Sequence, residues 1–150
     1  MKALIQRVKE AEVSVNNEKK GSIGKGLLVF LSVGEKDTKK DAEFLYYKLR
    51  NLRIFEDENG KMNYSIEDIG GNMLLISQFT LHADTRKGHR PSFNNAAGPK
   101  RAKRLYKYMI NYAKSHGMEN IQTGVFGAYM SVKLENDGPV TIILESKNEQ

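Results

Sequence analysis

The sequence predicts an α+β fold: a largely antiparallel, barrel-like β core with two main helices packed on it, in a single domain spanning 1–150. Three observations predict it. Two segments carry apolar residues at three- and four-residue spacing, the mark of a helix with one buried face. Strand-patterned segments lie before, between and after them, so the order is strands, helix, strands, helix, strands. The 150 residues contain no repeat, low-complexity stretch or linker, and that length suits one core.

At the N-terminus Ala3, Ile5 and Val8, then Ala11, Val13 and Val15, alternate with polar neighbours and read as two strands around a short turn. Residues 16–21 read as a polar loop. Leu27 to Val33 is apolar on both faces, which predicts a central buried strand. Asp37-Thr38 can cap a helix whose stripe is Ala42, Leu45, Leu49 and Leu52. Asn59-Gly60 marks a hairpin, since both residues tolerate positive φ. Met73 to Leu81 reads as a further strand, followed by a polar loop from His82 to Gly98. Pro99 suits the first turn of a second helix, with Ala102, Leu105, Met109 and Ala113 as its stripe and Gly117 as its stop. Strands resume at 121–123 and 129–134, and Asn136-Asp137-Gly138-Pro139 turns the chain into Val140 to Glu145.

Composition narrows the function. The chain has no cysteine, which excludes a disulfide scaffold, a thiolate nucleophile and a Cys-ligated zinc site. His82, His89 and His116 are not paired at ligand spacing and read as surface or capping residues, so no metal or cofactor is expected. The longest apolar run, Leu27 to Leu31, is strand-sized, and a charge arrives too early for a secretory signal, so the protein reads as cytoplasmic, with no membrane partner. Twenty-four basic residues against eighteen acidic leave +6, which favours a polyanion, nucleic acid first.

Candidate chemistry concentrates in a few places. If Met73–Leu81 is one strand, Gln78, Thr80 and His82 share a face, and a Thr80–His82 pair is a conceivable nucleophile and base. No G-x-S-x-G elbow or hydrolase triad order accompanies it. Arg86, Lys87, His89 and Arg90 form a basic loop. Lys100, Arg101, Lys103, Arg104 and Lys107 crowd the start of the second helix, where they oppose the helix dipole; a phosphate nearby would relieve that cost, and so would a solvated face. Gly138-Pro139 is by default a trans turn, because only about 5–6% of X-Pro bonds in folded proteins are cis. A cis form would point two successive carbonyl oxygens the same way and present no side chain.

Two segments, Ser77-Gln78-Phe79-Thr80-Leu81 and Asn136-Asp137-Gly138-Pro139-Val140-Thr141, together resemble the signature motifs of the D-aminoacyl-tRNA deacylases. The resemblance covers nearly the whole chain. It includes Ile5-Gln6-Arg7-Val8, Asn51-Leu52-Arg53-Ile54-Phe55, Gly60-Lys61-Met62-Asn63, Ala83-Asp84-Thr85-Arg86-Lys87-Gly88, Arg90-Pro91-Ser92-Phe93 and Phe126-Gly127-Ala128.

The resemblance implies hydrolysis of the ester that joins a D-amino acid, or glycine, to the terminal ribose of tRNA. It implies a homodimer with a cross-subunit active site, in which Gly138 and Pro139 of one copy, joined by a cis peptide, complete the other's pocket. It implies Ser77, Gln78, Phe79 and Thr80 as the catalytic segment, with Phe126 and Met130 lining the pocket or simply packing in the core. For the mechanism it offers either Thr80 as nucleophile or chemistry by the tRNA's own 2′-hydroxyl. The second is favoured, since Thr80 has no convincing base partner; backbone amides around Gln78 and Phe79 would then bind the carbonyl oxygen. Arg86, Lys87 and Arg90 are the expected tRNA contacts. Two positions depart from the pattern: Tyr129 stands where many relatives have an acid, and His82 where many have tyrosine. The rival readings are a non-catalytic RNA-binding module and a small-ester hydrolase using Thr80 and His82.

Overall fold

A computed structural model describes residues 1–147. The strands are β1 (Lys2–Val15), β2 (Glu18–Ile23), β3 (Gly26–Ser32), β4 (Phe55–Glu56), β5 (Met62–Tyr64), β6 (Asn72–Ser77), β7 (Gln122–Thr123) and β8 (Ser131–Glu145), and the helices α1 (Lys39–Asn51) and α2 (Pro99–Ser115). The main sheet runs β2-β1-β3-β6-β7, with β8 on the other edge of β1; β4 and β5 form a separate hairpin. Most pairings are antiparallel, but β3–β6 and β6–β7 are parallel. Both inner strands are buried on both faces, as parallel strands between packed layers must be.

The N-terminus corrects the sequence reading. It is one strand of fourteen residues, not two around a turn. The inward phase changes because Arg7 and Val8 are both buried while Lys9 and Glu10 are exposed, and the β8 register shifts there. An extra residue in a ladder reverses the alternation as a turn would, but bends the strand instead. The bend moves β1 between two cores. Ala3 and Ile5 face the helices, with Leu27, Val29, Leu31, Met73 and Leu75. Val8, Ala11 and Val13 face the barrel interior, with Leu28, Leu74 and Ile76.

The tight turn comes next, at Asn16 and Asn17, which both adopt positive φ (51° and 65°) and join β1 to β2; much of the expected loop is therefore strand. In the β4–β5 hairpin it is Gly60, at φ 72°, that takes the left-handed conformation. Residues 136–139 likewise bulge within β8 instead of reversing the chain, and the Gly138–Pro139 peptide is cis.

The helices match their stripes. Thr38 caps α1, its amide donating to Asp41 Oδ2 at 2.8 Å. Ala42, Leu45, Tyr46 and Leu49 are buried on one side, Ala102, Leu105, Tyr106, Met109 and Ala113 on the other. Tyr106 crosses the layer to donate to the Leu75 carbonyl at 2.8 Å, and burial raises its hydroxyl pKa. Among the described residues no helix is long and apolar enough to cross a membrane.

Candidate active site

β6 ends where its apolar run ends. The Gln78 amide donates to the Leu31 carbonyl at 2.8 Å, the last rung toward β3, and the chain then enters a 3-10 turn, Phe79–His82. The Leu81 amide bonds the Gln78 carbonyl (3.2 Å) and the Ala83 amide the Thr80 carbonyl (3.1 Å). The strand expected to reach Leu81 therefore stops at Ser77, and Gln78, Thr80 and His82 do not share a sheet face. Phe79 and Thr80 are exposed, whereas His82 is 6% exposed.

This turn leaves amides without an acceptor. The first N–H groups of a helical turn have no partner inside it. Gln78 spends its own on Leu31, and among the described residues no acceptor is found for the amides of Phe79 and Thr80. Ser32, at the end of β3, secures the turn from behind: its hydroxyl donates to the Phe79 carbonyl at 3.2 Å and lies 2.5 Å from His82 Nδ1. Thr80 Oγ1 accepts from Gln78 Nε2. His82 is thus a buried anchor, not a surface residue, and it shares a hydrogen bond with Ser32.

The neighbouring strand ends close in. Leu75 pairs with Thr123, and the Gly124 amide donates to the Leu75 carbonyl at 3.3 Å, which brings the 124–130 segment to the end of β6. Phe126 packs on the helix-side core, its ring 5.8 Å from that of Tyr106, while Met130 packs on the interior core. The Phe79 ring meets Phe93 edge-on at 4.9 Å. Paired backbone bonds between Asp84 and Ser92 (2.7 and 2.9 Å) then pinch off a projecting loop carrying Arg86, Lys87 and Arg90, all exposed. Arg86 is committed to Asp84, and its guanidinium and amide hold that carboxyl down at about 2.

Gly138 and Pro139 lie elsewhere in the chain. The gap in the β1–β8 ladder sets them beside Arg7, whereas Ser77 is level with Leu31 and Ala3. At ordinary strand geometry that is roughly 13 Å along the strands and, counting three spacings from β8 to β6, roughly 14 Å across them. Arg7, 5% exposed, holds this bulge: Nε donates to the Asp137 carbonyl at 2.8 Å and Nη1 to the Ile54 carbonyl at 2.6 Å. Asn136 closes it, accepting from the Val140 amide at 2.8 Å and donating to the Val140 carbonyl at 3.1 Å, as a strand partner would. A cleft of about 220 Å³ beside Gly34, Asp37, His82 and Asn95 touches neither Ser77–Thr80 nor Gly138–Pro139, and Phe79 and Thr80 stand exposed on an open lip.

Sequence reasoning missed Ser32 and the role of Arg7. A serine ending an apolar run, and an arginine at the phase break of an otherwise alternating strand, were the available signals.

The family model described as D-Tyr-tRNA(Tyr) deacylase matches residues 4–145. The chain belongs to this deacylase family. Its curated relatives include D-aminoacyl-tRNA deacylases of Thermosipho melanesiensis, 53% identical over 98% of both chains, and of Desulfatibacillum aliphaticivorans, 54% identical over 98% of this chain and all of the relative. The name these deacylases carry is that of a hydrolase. Among solved structures, one described as c-Myc DNA Unwinding Element Binding Protein superposes with a TM-score of 0.92 at 43% identity, over 98% of this chain and 99% of that one. One described as a probable eukaryotic D-amino acid tRNA deacylase gives 0.80 at 16% identity, over 96% and 98%; that likeness is one of fold, and it is the fold class the sequence predicts.

Proposed function

We propose that the protein acts in the cytoplasm on tRNA mischarged with D-amino acids, and on glycyl-tRNA, hydrolysing the ester at the terminal ribose without metal or cofactor. The observation that carries this reading is the pair of amides without an acceptor among the described residues, Phe79 and Thr80, at the lip where β6 ends. Two such donors suit the oxygen that becomes negative as the ester carbonyl is attacked, and a donor of this kind supplies roughly 3–4 kcal/mol of transition-state stabilisation. Thr80 serves as a positioning group: its hydroxyl is held by the Gln78 amide side chain, and among the described residues no hydrogen bond joins it to a base. The tRNA 2′-hydroxyl then carries the chemistry that the protein polarises. Ser77, Phe126 and Met130 wall the pocket, and Arg86, Lys87 and Arg90 contact the tRNA.

The same reading makes Gly138 and Pro139 the chirality filter of a second copy. What supports it is the distance between this pair and Ser77–Thr80 within one chain, together with apolar side chains left uncovered: Tyr129 is 98% exposed, Ile143 67% and Phe79 55%. A backbone wall rejects an L side chain by clash and tolerates any D side chain, and glycine passes.

The test is deacylation of matched D- and L-tyrosyl-tRNA, each also made with a 2′-deoxy terminal adenosine. Release from the D form alone supports the reading, and its loss on the bound 2′-deoxy substrate supports RNA-assisted chemistry over a Thr80 nucleophile. Binding of tRNA with neither ester cleaved would return the protein to a binding module.

A further inference from the structure

Helix α2 carries six cations, Lys100, Arg101, Lys103, Arg104, Lys107 and Lys114, and no acid across seventeen residues. The whole chain has twenty-four cations and eighteen acids. Apart from α2, then, the sequence is balanced, and its entire positive excess resides on one helix. Five of the six form a single line. At 3.6 residues per turn, Lys100, Lys103, Arg104, Lys107 and Lys114 fall within about 100° of arc, with Asn111 on the same line, opposite the buried Leu105, Met109 and Ala113. All five are exposed, and among the described residues none of them lies within ion-pair distance of a carboxylate. By contrast Lys9, Lys19 and Lys20 on the sheet each face a glutamate.

Stability does not explain the arrangement. The first turn has four cations in or next to it where the dipole favours acids, and neighbouring like charges at three- and four-residue spacing repel. The helix also starts at the candidate site. Ala97, two residues before Pro99, donates its amide to Val33 at the end of β3; Arg101 donates to the Asp37 carbonyl; and Phe93, a turn earlier, is the residue packed on Phe79. In the sequence the basic loop at Arg86–Arg90 lies between the two. Positive charge thus occupies the loop that follows the lip and then a helix about 25 Å long that starts beside it.

We propose that the exposed stripe of α2 is the docking surface for the acceptor-stem duplex of the tRNA. Duplex RNA is gripped chiefly through its phosphates and 2′-hydroxyls, without reading of base edges, and a row of flexible cations without acids suits that task. The inference rests on the function proposed above, and adds which surface holds the body of the substrate. It makes the stripe responsible for affinity while the lip performs the chemistry.

The experiment compares the triple variant Lys103→Glu, Arg104→Glu, Lys107→Glu with a charge-matched control, Lys19→Glu, Lys20→Glu, Lys61→Glu, in the full chain. D-Tyrosyl-tRNA deacylation and binding of uncharged tRNA are measured at several salt concentrations. The stripe variant is expected to raise KM at least tenfold with kcat retained, and to lower the slope of log affinity against log salt by about 2–3, as three lost phosphate contacts should. The control should stay within twofold of wild type. The stripe variant should unfold no earlier than wild type, since Lys100 then faces acids at 103 and 104 where it faced like charges. Unchanged KM and salt slope would overturn the inference and leave the stripe to an acidic partner; equal losses in both triple variants would overturn it in favour of bulk charge; a fall confined to kcat would overturn it as well. Wild type that binds tRNA but cleaves nothing defeats the functional reading alone, because the binding arm still scores the stripe.

Discussion

The Ser32 hydroxyl lies 2.5 Å from Nδ1 of His82, fifty residues away, and the same oxygen donates to the carbonyl of Phe79. With its one proton directed to Phe79, Ser32 receives the Nδ1–H of His82, so a single side chain ties both ends of the 3-10 turn to β3. Ser32→Ala should cost about 1–3 kcal/mol, the usual penalty for removing one partner of a buried polar group. Urea unfolding measures that. Deacylation should fall further than the folded fraction does, since the Phe79 and Thr80 amides lose their backing; activity that merely tracks the folded fraction would show that the turn holds itself.

Phe79→Pro tests the amide directly. Proline fits the first position of a helical turn, and Gln78 (φ −150°, ψ 80°) lies outside the α region that proline disfavours in the residue before it. The substitution deletes the N–H and the ring, so Phe79→Ala is its reference. Relative to that alanine variant kcat should drop about 10²–10³-fold. Equal rates for the two would remove Phe79 from the set of oxygen-binding donors.

Gly138→Ala tests the filter. Gly138 sits at φ 151°, and an added Cβ would lie 2.7 Å from the Val140 amide nitrogen, so the backbone has to move. The ratio of D- to L-tyrosyl-tRNA cleavage is expected to shift at least tenfold, or activity to vanish with the fold intact. An unaltered ratio at full activity would place chirality elsewhere.

The shared-site reading has a signature in mixtures. Phe79→Pro spoils the lip and Gly138→Ala the filter, and in a mixed pair one of the two sites draws both intact parts. Equal amounts, exchanged through dissociation, should recover about a quarter of wild-type activity, the random-pairing value for a two-fold dimer. No recovery on mixing, with exchange confirmed by a label, would confine each site to one copy.

Acid should unfold the protein partly through Asp37. Burial alone would raise its carboxyl; the Met1 ammonium at 2.6 Å, the Gly34 amide at 2.5 Å and Lys147 outweigh that and hold it below 3.8. A carboxyl depressed in the folded state contributes stability above its unfolded pKa and loses it as pH falls through the folded one. Wild type should therefore lose urea resistance as pH drops below about 3.8, Asp41 contributing in the same direction. Asp37→Asn should be weaker at pH 6 and show a shallower decline; parallel curves would assign the acid sensitivity to other groups.

What the sequence disclosed follows from which interactions are local. The stripes of α1 and α2, Pro99 and Gly117 at the ends of α2, and the doubly apolar Leu27–Val33 are local patterns, and each became the expected element. The phase break at Arg7–Glu10 was visible but ambiguous, because a bulge and a turn alter alternation in the same way. The end of β6 was hidden, since residues 78–82 can alternate on paper; it is set by the Gln78–Leu31 bond and by Ser32, both remote in sequence. His82 looked like a surface histidine for the same reason. The motif residues were legible as motifs, but that Asp137, beside Gly138, answers to Arg7 on a strand 130 residues earlier needed the fold.

Phe126 and Met130, four residues apart and each partly buried, pack against cores on opposite sides of the sheet. The short segment between them is consequently held at both ends, like a beam resting on two supports. In the proposed reading this segment walls the pocket that faces the filter, and there stiffness is itself a selective property, because a wall that yields by an ångström admits the wrong hand.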